Sequence, residues 1–227
     1  MTSKPSIKAV IFDMDGVLVV SEHIVLRAAK QMLAEYGVSA CDADFEAVIG
    51  ASAERYFGEV AEKYGVPYRP EMSVRAFELY GQMLTPDDIA PTAHETIRRI
   101  RRMGLKTAVC SGAPMIKIRH NIRAIGVTPS DFDVFVSGDD VSKNKPDPEI
   151  YTKGIAALGV LPSECIIIED TINGIRAARA AEAGITVGVG TTLTREKFDA
   201  SGCCDVFIDS LAQFCEVVSA AVQDVCG

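Results

Sequence analysis

The chain has 227 residues, of which 48% are hydrophobic and 24% charged, an ordinary globular composition with ample material for a buried core. A net charge of −8 argues against a nucleic-acid binder, which needs a basic face, while leaving room for a local positive pocket that takes a small anion. No apolar stretch is long enough to span a bilayer, and Asp13 and Asp15 interrupt the one early apolar run, so neither a membrane span nor a leader is expected.

Residues 7–12 form an apolar run of buried-strand character that ends in Asp13, Asp15 and Gly16. Strand alternation puts both aspartates on one side just past the carboxyl end. Two carboxylates that close repel each other unless a cation or a proton lies between them, and an oxygen-only cluster suits Mg²⁺. The chemistry suggested is one aspartate that attacks phosphorus and a second that moves protons.

Helical spacing follows near 21–36, 43–49, 52–64 and 71–84, broken at Gly37, Gly50, Gly65-Val66-Pro67 and Thr85-Pro86, with no convincing strand among them. From about residue 90 helix and strand alternate. Helices are expected over 92–103, 115–125, 148–158 and 173–183, and strands over 105–110, 133–136, 165–168, 185–189 and 205–208. That rhythm implies right-handed crossovers and a parallel sheet covered on both faces. The fold class is therefore α/β: a Rossmann-like core over 1–18 and 89–227, with an α-helical cap inserted over 19–88.

Seven cysteines (Cys41, Cys110, Cys165, Cys203, Cys204, Cys215 and Cys226) are odd in number and show no CxxC spacing, which disfavours zinc. Cys110 and Cys165 lie inside strand-like runs and read as small buried hydrophobes, and Cys203-Cys204 as a reduced surface turn. This usage points to a cytoplasmic protein.

Ligands of open α/β sheets bind outside the carboxyl ends of the strands. Those ends carry Asp13 and Asp15; Ser111-Gly112; Ser137-Gly138-Asp139-Asp140 with Lys143 and Lys145 soon after; and Glu169-Asp170-Thr171. Taken singly, each has a plain reading as a helix cap, a turn or a solvated lysine. Together, four carboxylates at one rim would be costly without a cation, and a phosphate there would need the lysine and hydroxyl to offset its charge. None of His23, His94 and His120 falls at a strand end, which disfavours a histidine mechanism.

These residues closely resemble the haloacid dehalogenase superfamily, in its phosphatase branch with a helical cap between the first two motifs. The likeness covers almost the whole chain. Asp13, Asp15, Gly16 and Val17 match the first motif, and Ala108-Val109-Cys110-Ser111-Gly112 the second. Lys145-Pro146-Asp147-Pro148 match the third, and Ile168-Glu169-Asp170-Thr171, with Gly174, Ala177 and Ala178, the fourth. The resemblance implies that Asp13 attacks phosphorus, that Asp15 protonates the leaving oxygen and then activates water, and that Ser111, the Gly112 amide and Lys145 hold the phosphate. It further implies Mg²⁺ on Asp13, the carbonyl of Asp15 and Asp170, with Glu169 nearby or coordinating, and a small phosphorylated metabolite as substrate.

The family's dehalogenases lack an acid at the position of Asp15, having no leaving oxygen to protonate. A β-phosphoglucomutase-like enzyme is the nearest competitor. Such mutases typically carry an acid just after the first motif, a cap histidine and a cap arginine, where this chain has Val20, Val25 and Ala53. Losing that arginine removes a bidentate anion clamp, and Arg55 reads as a solvated helix residue, so hydrolysis is the expectation. A phosphonatase would need a cap lysine such as Lys30 or Lys63, and a binding protein would have little use for so repulsive an acid cluster. The cap is expected to hinge near 18–21 and 85–91, with Arg55, Tyr56, Phe57, Lys63, Arg69, Arg75 and Tyr80 as candidates for lining the cleft. Oligomeric state is not readable.

Overall fold

A computed structural model describes residues 6–202 and 204–223, so Cys203 and Cys226 lie outside the described residues. In chain order the elements are β1 (Ala9–Phe12), α1 (Glu22–Glu35), α2 (Ala53–Lys63), α3 (Pro70–Met83), α4 (Ala93–Arg102), β2 (Lys106–Cys110), α5 (Met115–Ile125), β3 (Val134–Val136), α6 (Glu149–Leu158), β4 (Cys165–Glu169), α7 (Ile172–Ala180), β5 (Ile185–Val189), α8 (Arg195–Ser201), β6 (Val206–Ile208) and α9 (Phe214–Gln223). All six strands pair in parallel, in the order β3-β2-β1-β4-β5-β6.

Strand alternation sorts the core into two layers. Val10 and Phe12 of β1 join Ile97 and Ile100 of α4, Ile118 and Ile122 of α5, and Phe214 and Val218 of α9. Ala9 and Ile11 face the other way, against Tyr151 and Ile155 of α6 and Ala177 and Ala178 of α7. β1 is thus buried on both sides and lies where the strand order reverses, which is where open α/β sheets gather their ligands.

Helices α1, α2 and α3 all fall between β1 and β2 and bury a separate cluster, including Met32, Phe57, Phe77 and Tyr80. The two crossings pair with each other: Val19 bridges Ile89, Val20 N donates to Asp88 O, and Ala90 N donates to Leu18 O. Among the described residues, no helix is long and apolar enough to cross a membrane.

Three details differ from the sequence reading. The segment expected to be helical near 43–49 is a 3₁₀ helix over Asp42–Val48, where the Asp44 carboxylate takes the Cys41 N–H at 2.7 Å. Asp44 thereby caps the start of this segment, while Asp42 pairs with the Lys30 side chain. α8 and α9 were not anticipated at all. Cys204, expected in a surface turn, is half-buried and packs beside Ile175 and Phe198, whereas Cys110 and Cys165 are buried as expected, and Cys215 is buried too.

Candidate active site

β1 delivers Asp13 directly off its last residue, with Asp13 N donating to Ile168 O of β4 at 3.0 Å, so the ends of two adjacent strands are held together. β4 ends in Glu169, followed at once by Asp170. One carboxylate oxygen from each of Asp13, Glu169 and Asp170 lies within 4.8 Å of the others, and all three residues are buried. Gly16 makes the crowding possible. Its φ is +76°, and a Cβ there would meet Asp170 Oδ2 at 1.9 Å, so only a residue without a side chain lets the Asp170 carboxylate sit over this turn.

Lys145 reaches the cluster from the loop before α6. Its Nζ donates to Asp13 Oδ1 at 2.5 Å, to Glu169 Oε1 at 2.6 Å and to Cys110 O at 3.3 Å. Lys143 instead stays at the surface with Asp147. The Lys145 ammonium also lies 4.8 Å from the ring centroid of Tyr151, whose hydroxyl donates to Glu169 Oε1 at 2.6 Å.

Glu169 is therefore fully engaged. Its second oxygen accepts from the backbone N–H groups of Asp170 and Thr171 and from the Thr171 hydroxyl at 3.2 Å. Thr171 Oγ1 in turn accepts from Gly174 N, capping α7. A Cβ on Gly174 would overlap the Glu169 carboxylate. Thr192, from the loop after β5, bonds Asp170 Oδ2, and Thr191 bonds Gly16 O.

The electrostatics follow from this enclosure. Burial pushes Asp13 well above the ordinary carboxylate range against the pull of Lys145, with Glu169, Asp170 and Asp15 adding repulsion. Burial, together with the charge of Glu169, raises Asp170 to about 7. Glu169 is held low in spite of its burial, because Lys145 pairs with it, and the two carboxylates likewise hold Lys145 above its usual value. An oxygen-only, buried cluster in which two acids resist ionising is one that a hard divalent cation would relieve, so the residues fit Mg²⁺.

The remaining candidates take up positions around this core. Ser111 is buried just past β2, and its Oγ accepts from Ala113 N at 3.2 Å, leaving its own proton to donate. Gly112 has no atom within 4 Å of where a Cβ would stand, so that side of the loop is open. The Asp15 side chain turns away from the acid cluster towards Ser21 Oγ and Lys117 Nζ. Asp139 and Asp140 serve the backbone, accepting from Met115 N and Ser137 N. The histidines lie elsewhere, His23 with Asp88 and His120 against Gly81.

Lys117, Tyr151 and Thr192 were not singled out from the sequence. For Lys117 a signal existed: on α5 the residues Ile118, Ile122 and Ile125 mark the buried stripe, and Lys117 and Asn121 form a polar i, i+4 pair beside it.

The chain is 37% identical over 193 residues to the protein SUPPRESSOR OF QUENCHING 1 of Arabidopsis thaliana, covering 83% of this chain but only 18% of that longer protein. It is 28% identical over 204 residues to a phosphorylated carbohydrates phosphatase of Thermotoga maritima, covering 84% of this chain and 88% of that one. The structure of CbbY from Rhodobacter sphaeroides in complex with phosphate superposes with a TM-score of 0.76 at 25% identity, over 92% of this chain and 96% of that one. Residues 7–182 match the family model, from just before β1 to just beyond α7, so the chain belongs to the haloacid dehalogenase-like hydrolases.

Proposed function

We propose that the protein is a Mg²⁺-dependent phosphomonoester hydrolase that acts on a small phosphorylated metabolite through an aspartyl-phosphate. The observation that carries this reading is Asp13 at the end of β1, with the Lys145 ammonium 2.5 Å from one oxygen and Asp15 one residue beyond its neighbour. A carboxylate so placed is a nucleophile with a fixed counter-charge beside it.

Asp13 attacks phosphorus as the bond to the leaving oxygen breaks, and Asp15 gives that oxygen a proton. Asp15 then takes a proton from the water that attacks the aspartyl-phosphate, which releases phosphate and restores Asp13. Ser111 Oγ and the Gly112 amide hold phosphate oxygens, and Lys145 neutralises charge between the phosphate and Asp13. Asp13, the carbonyl of Asp15 and Asp170 would hold Mg²⁺, which when bound supplies positive charge against the carboxylates and the phosphate. Glu169, both of whose oxygens accept hydrogen bonds, orients Lys145 and would add its negative charge beside the ion.

Residues 19–88 are the cap and 1–18 with 89–227 the catalytic core. The paired crossings at Val19 and Ile89 are the hinge on which the cap closes to keep water out while Asp13 is phosphorylated. The name of the Thermotoga maritima relative supports a phosphorylated carbohydrate as substrate. Against mutase chemistry, Arg55 Nε donates to Glu59 at 2.6 Å along the exposed side of α2, as a solvated helix pair does. Buried thiols at Cys110, Cys165 and Cys215 fit a reducing, cytoplasmic setting.

The test is phosphate release from a panel of phosphomonoesters with and without Mg²⁺. Metal-dependent release is expected, greatest with a sugar phosphate. No release from any ester by folded protein, together with isomerised hexose phosphate in the same samples, would replace the hydrolase by a mutase.

A further inference from the structure

The proposed proton carrier, Asp15, has a partner that the sequence did not offer. Lys117 Nζ, from the first turn of α5, lies 2.8 Å from Asp15 Oδ1. Ser21 Oγ donates to the same oxygen at 2.5 Å. Both contacts fall on Oδ1, so Oδ2 is the oxygen left to exchange a proton, on a side chain still 29% exposed.

Lys117 itself is held firmly. Only 9% of its side chain is accessible, and Asp15 is its one ion-pair partner among the described residues. Its ammonium stands 5.3 Å from the ring centroid of Tyr80 on α3, a distance at which the ring face attracts a cation. One helical turn on, Asn121 Oδ1 accepts from the Tyr80 hydroxyl at 2.6 Å, fixing that ring in turn. A buried ammonium with one carboxylate to answer it holds that carboxylate strongly, because separating them strands the ammonium.

We propose that Lys117 is a positioning residue for Asp15: with Ser21 it pins Oδ1 and so presents Oδ2 to the leaving oxygen of the substrate. Lys117 takes no part in the proton transfer itself. The proton moves from Asp15 Oδ2 to the leaving oxygen as the phosphorus–oxygen bond breaks and the bond from Asp13 forms. The inference rests on the phosphatase reading above and adds a chemical restriction to it. A site that fixes its acid this way is built for poor leaving groups, alkyl phosphates such as those of sugars and polyols, which cannot depart without a proton.

Leaving-group dependence separates this from a purely structural role. The experiment compares kcat/KM, which reports the steps up to departure of the leaving group, for an alkyl ester and for p-nitrophenyl phosphate at saturating Mg²⁺. p-Nitrophenolate departs unaided, so a misplaced acid leaves its rate alone. Lys117→Met is expected to lower kcat/KM for the alkyl ester on the order of tenfold to a hundredfold, the scale of a misplaced reacting group, and to leave the aryl ester within about twofold. Asp15→Asn sets the upper limit of that selective loss. Equal losses on both esters, or no loss on either, would overturn the assignment. Should Lys117→Met fail to fold by circular dichroism, Lys117→Gln carries the same comparison with a neutral donor of similar length. A wild-type protein that releases phosphate from neither ester defeats the phosphatase reading, and the inference with it. An active wild type with parallel losses in the variant defeats the inference alone.

Discussion

The sheet end and the inserted helices use their charges in opposite ways. At the sheet end Lys145 is buried between Asp13 and Glu169, with side chains only 15%, 8% and 1% accessible. Over α1 to α3 two of the ion pairs lie in water: Arg75 grips Glu35 from α3 to α1, and Arg55 pairs with Glu59 within α2. Exposed pairs are screened and add little, whereas buried charges that lose a partner are expensive. Removal of a single group is therefore expected to be costlier at the sheet end than among these exposed pairs.

The sharpest way to break this contrast is at Asp13. Asp13→Asn keeps the volume and removes the proposed nucleophile, so turnover should fall by about three orders of magnitude or more, as for other covalent catalysts. The fold should persist, since the carboxamide oxygen of the variant can still accept from Lys145. Phosphate release beside a circular dichroism spectrum measures both. Activity within tenfold of wild type would remove Asp13 from the mechanism.

Stability offers the second comparison. Lys145→Met leaves two buried carboxylates facing one another, and should cost about 3 kcal/mol in urea unfolding without divalent metal. Arg75→Met removes a two-pronged contact with Glu35, at 2.7 to 3.1 Å, yet from half-exposed side chains. Its effect should be a small fraction of the first. Similar losses in the two variants would mean that the buried cluster has no special hold on the fold.

Much of this arrangement was legible from the residues. The strands of the core are continuous apolar runs closed by polar residues, because a parallel sheet is buried on both faces, and that pattern gives the strand ends directly. Asp13, Asp15, Ser111, Lys145, Glu169 and Asp170 are the candidates this reading offers, because they stand at or near those ends. α9 was missed because Phe214–Gln223 is rich in valine and apolar throughout much of its length. Its helical form rests on packing Phe214, Cys215 and Val218 against the sheet and α4. Tyr151 and Thr192 were missed for a different reason. Tyr151 lies in the first turn of α6 and Thr192 in the loop after β5, and only the tertiary fold brings them onto Glu169 and Asp170.

The smallest expected effect is in the inserted helices and depends on pH. Asp44 accepts from Lys63 Nζ at 2.5 Å, from the Tyr64 hydroxyl at 2.7 Å and from Cys41 N, and these donors, Lys63 foremost, hold its carboxyl well below the usual range. A depressed carboxyl stabilises the fold fully above the unfolded value, about 3.9, and that contribution is lost as the pH falls below it. Asp44→Asn should therefore be slightly less stable than wild type at pH 7, and the gap should close on acidification towards pH 2. Thermal unfolding of the two proteins at a series of pH values measures it. A gap that stays constant with pH would show that hydrogen bonding alone, rather than the charge, ties the 3₁₀ segment to α2, and the contrast with the pH-sensitive buried acids of the sheet end would then be one of kind as well as of burial.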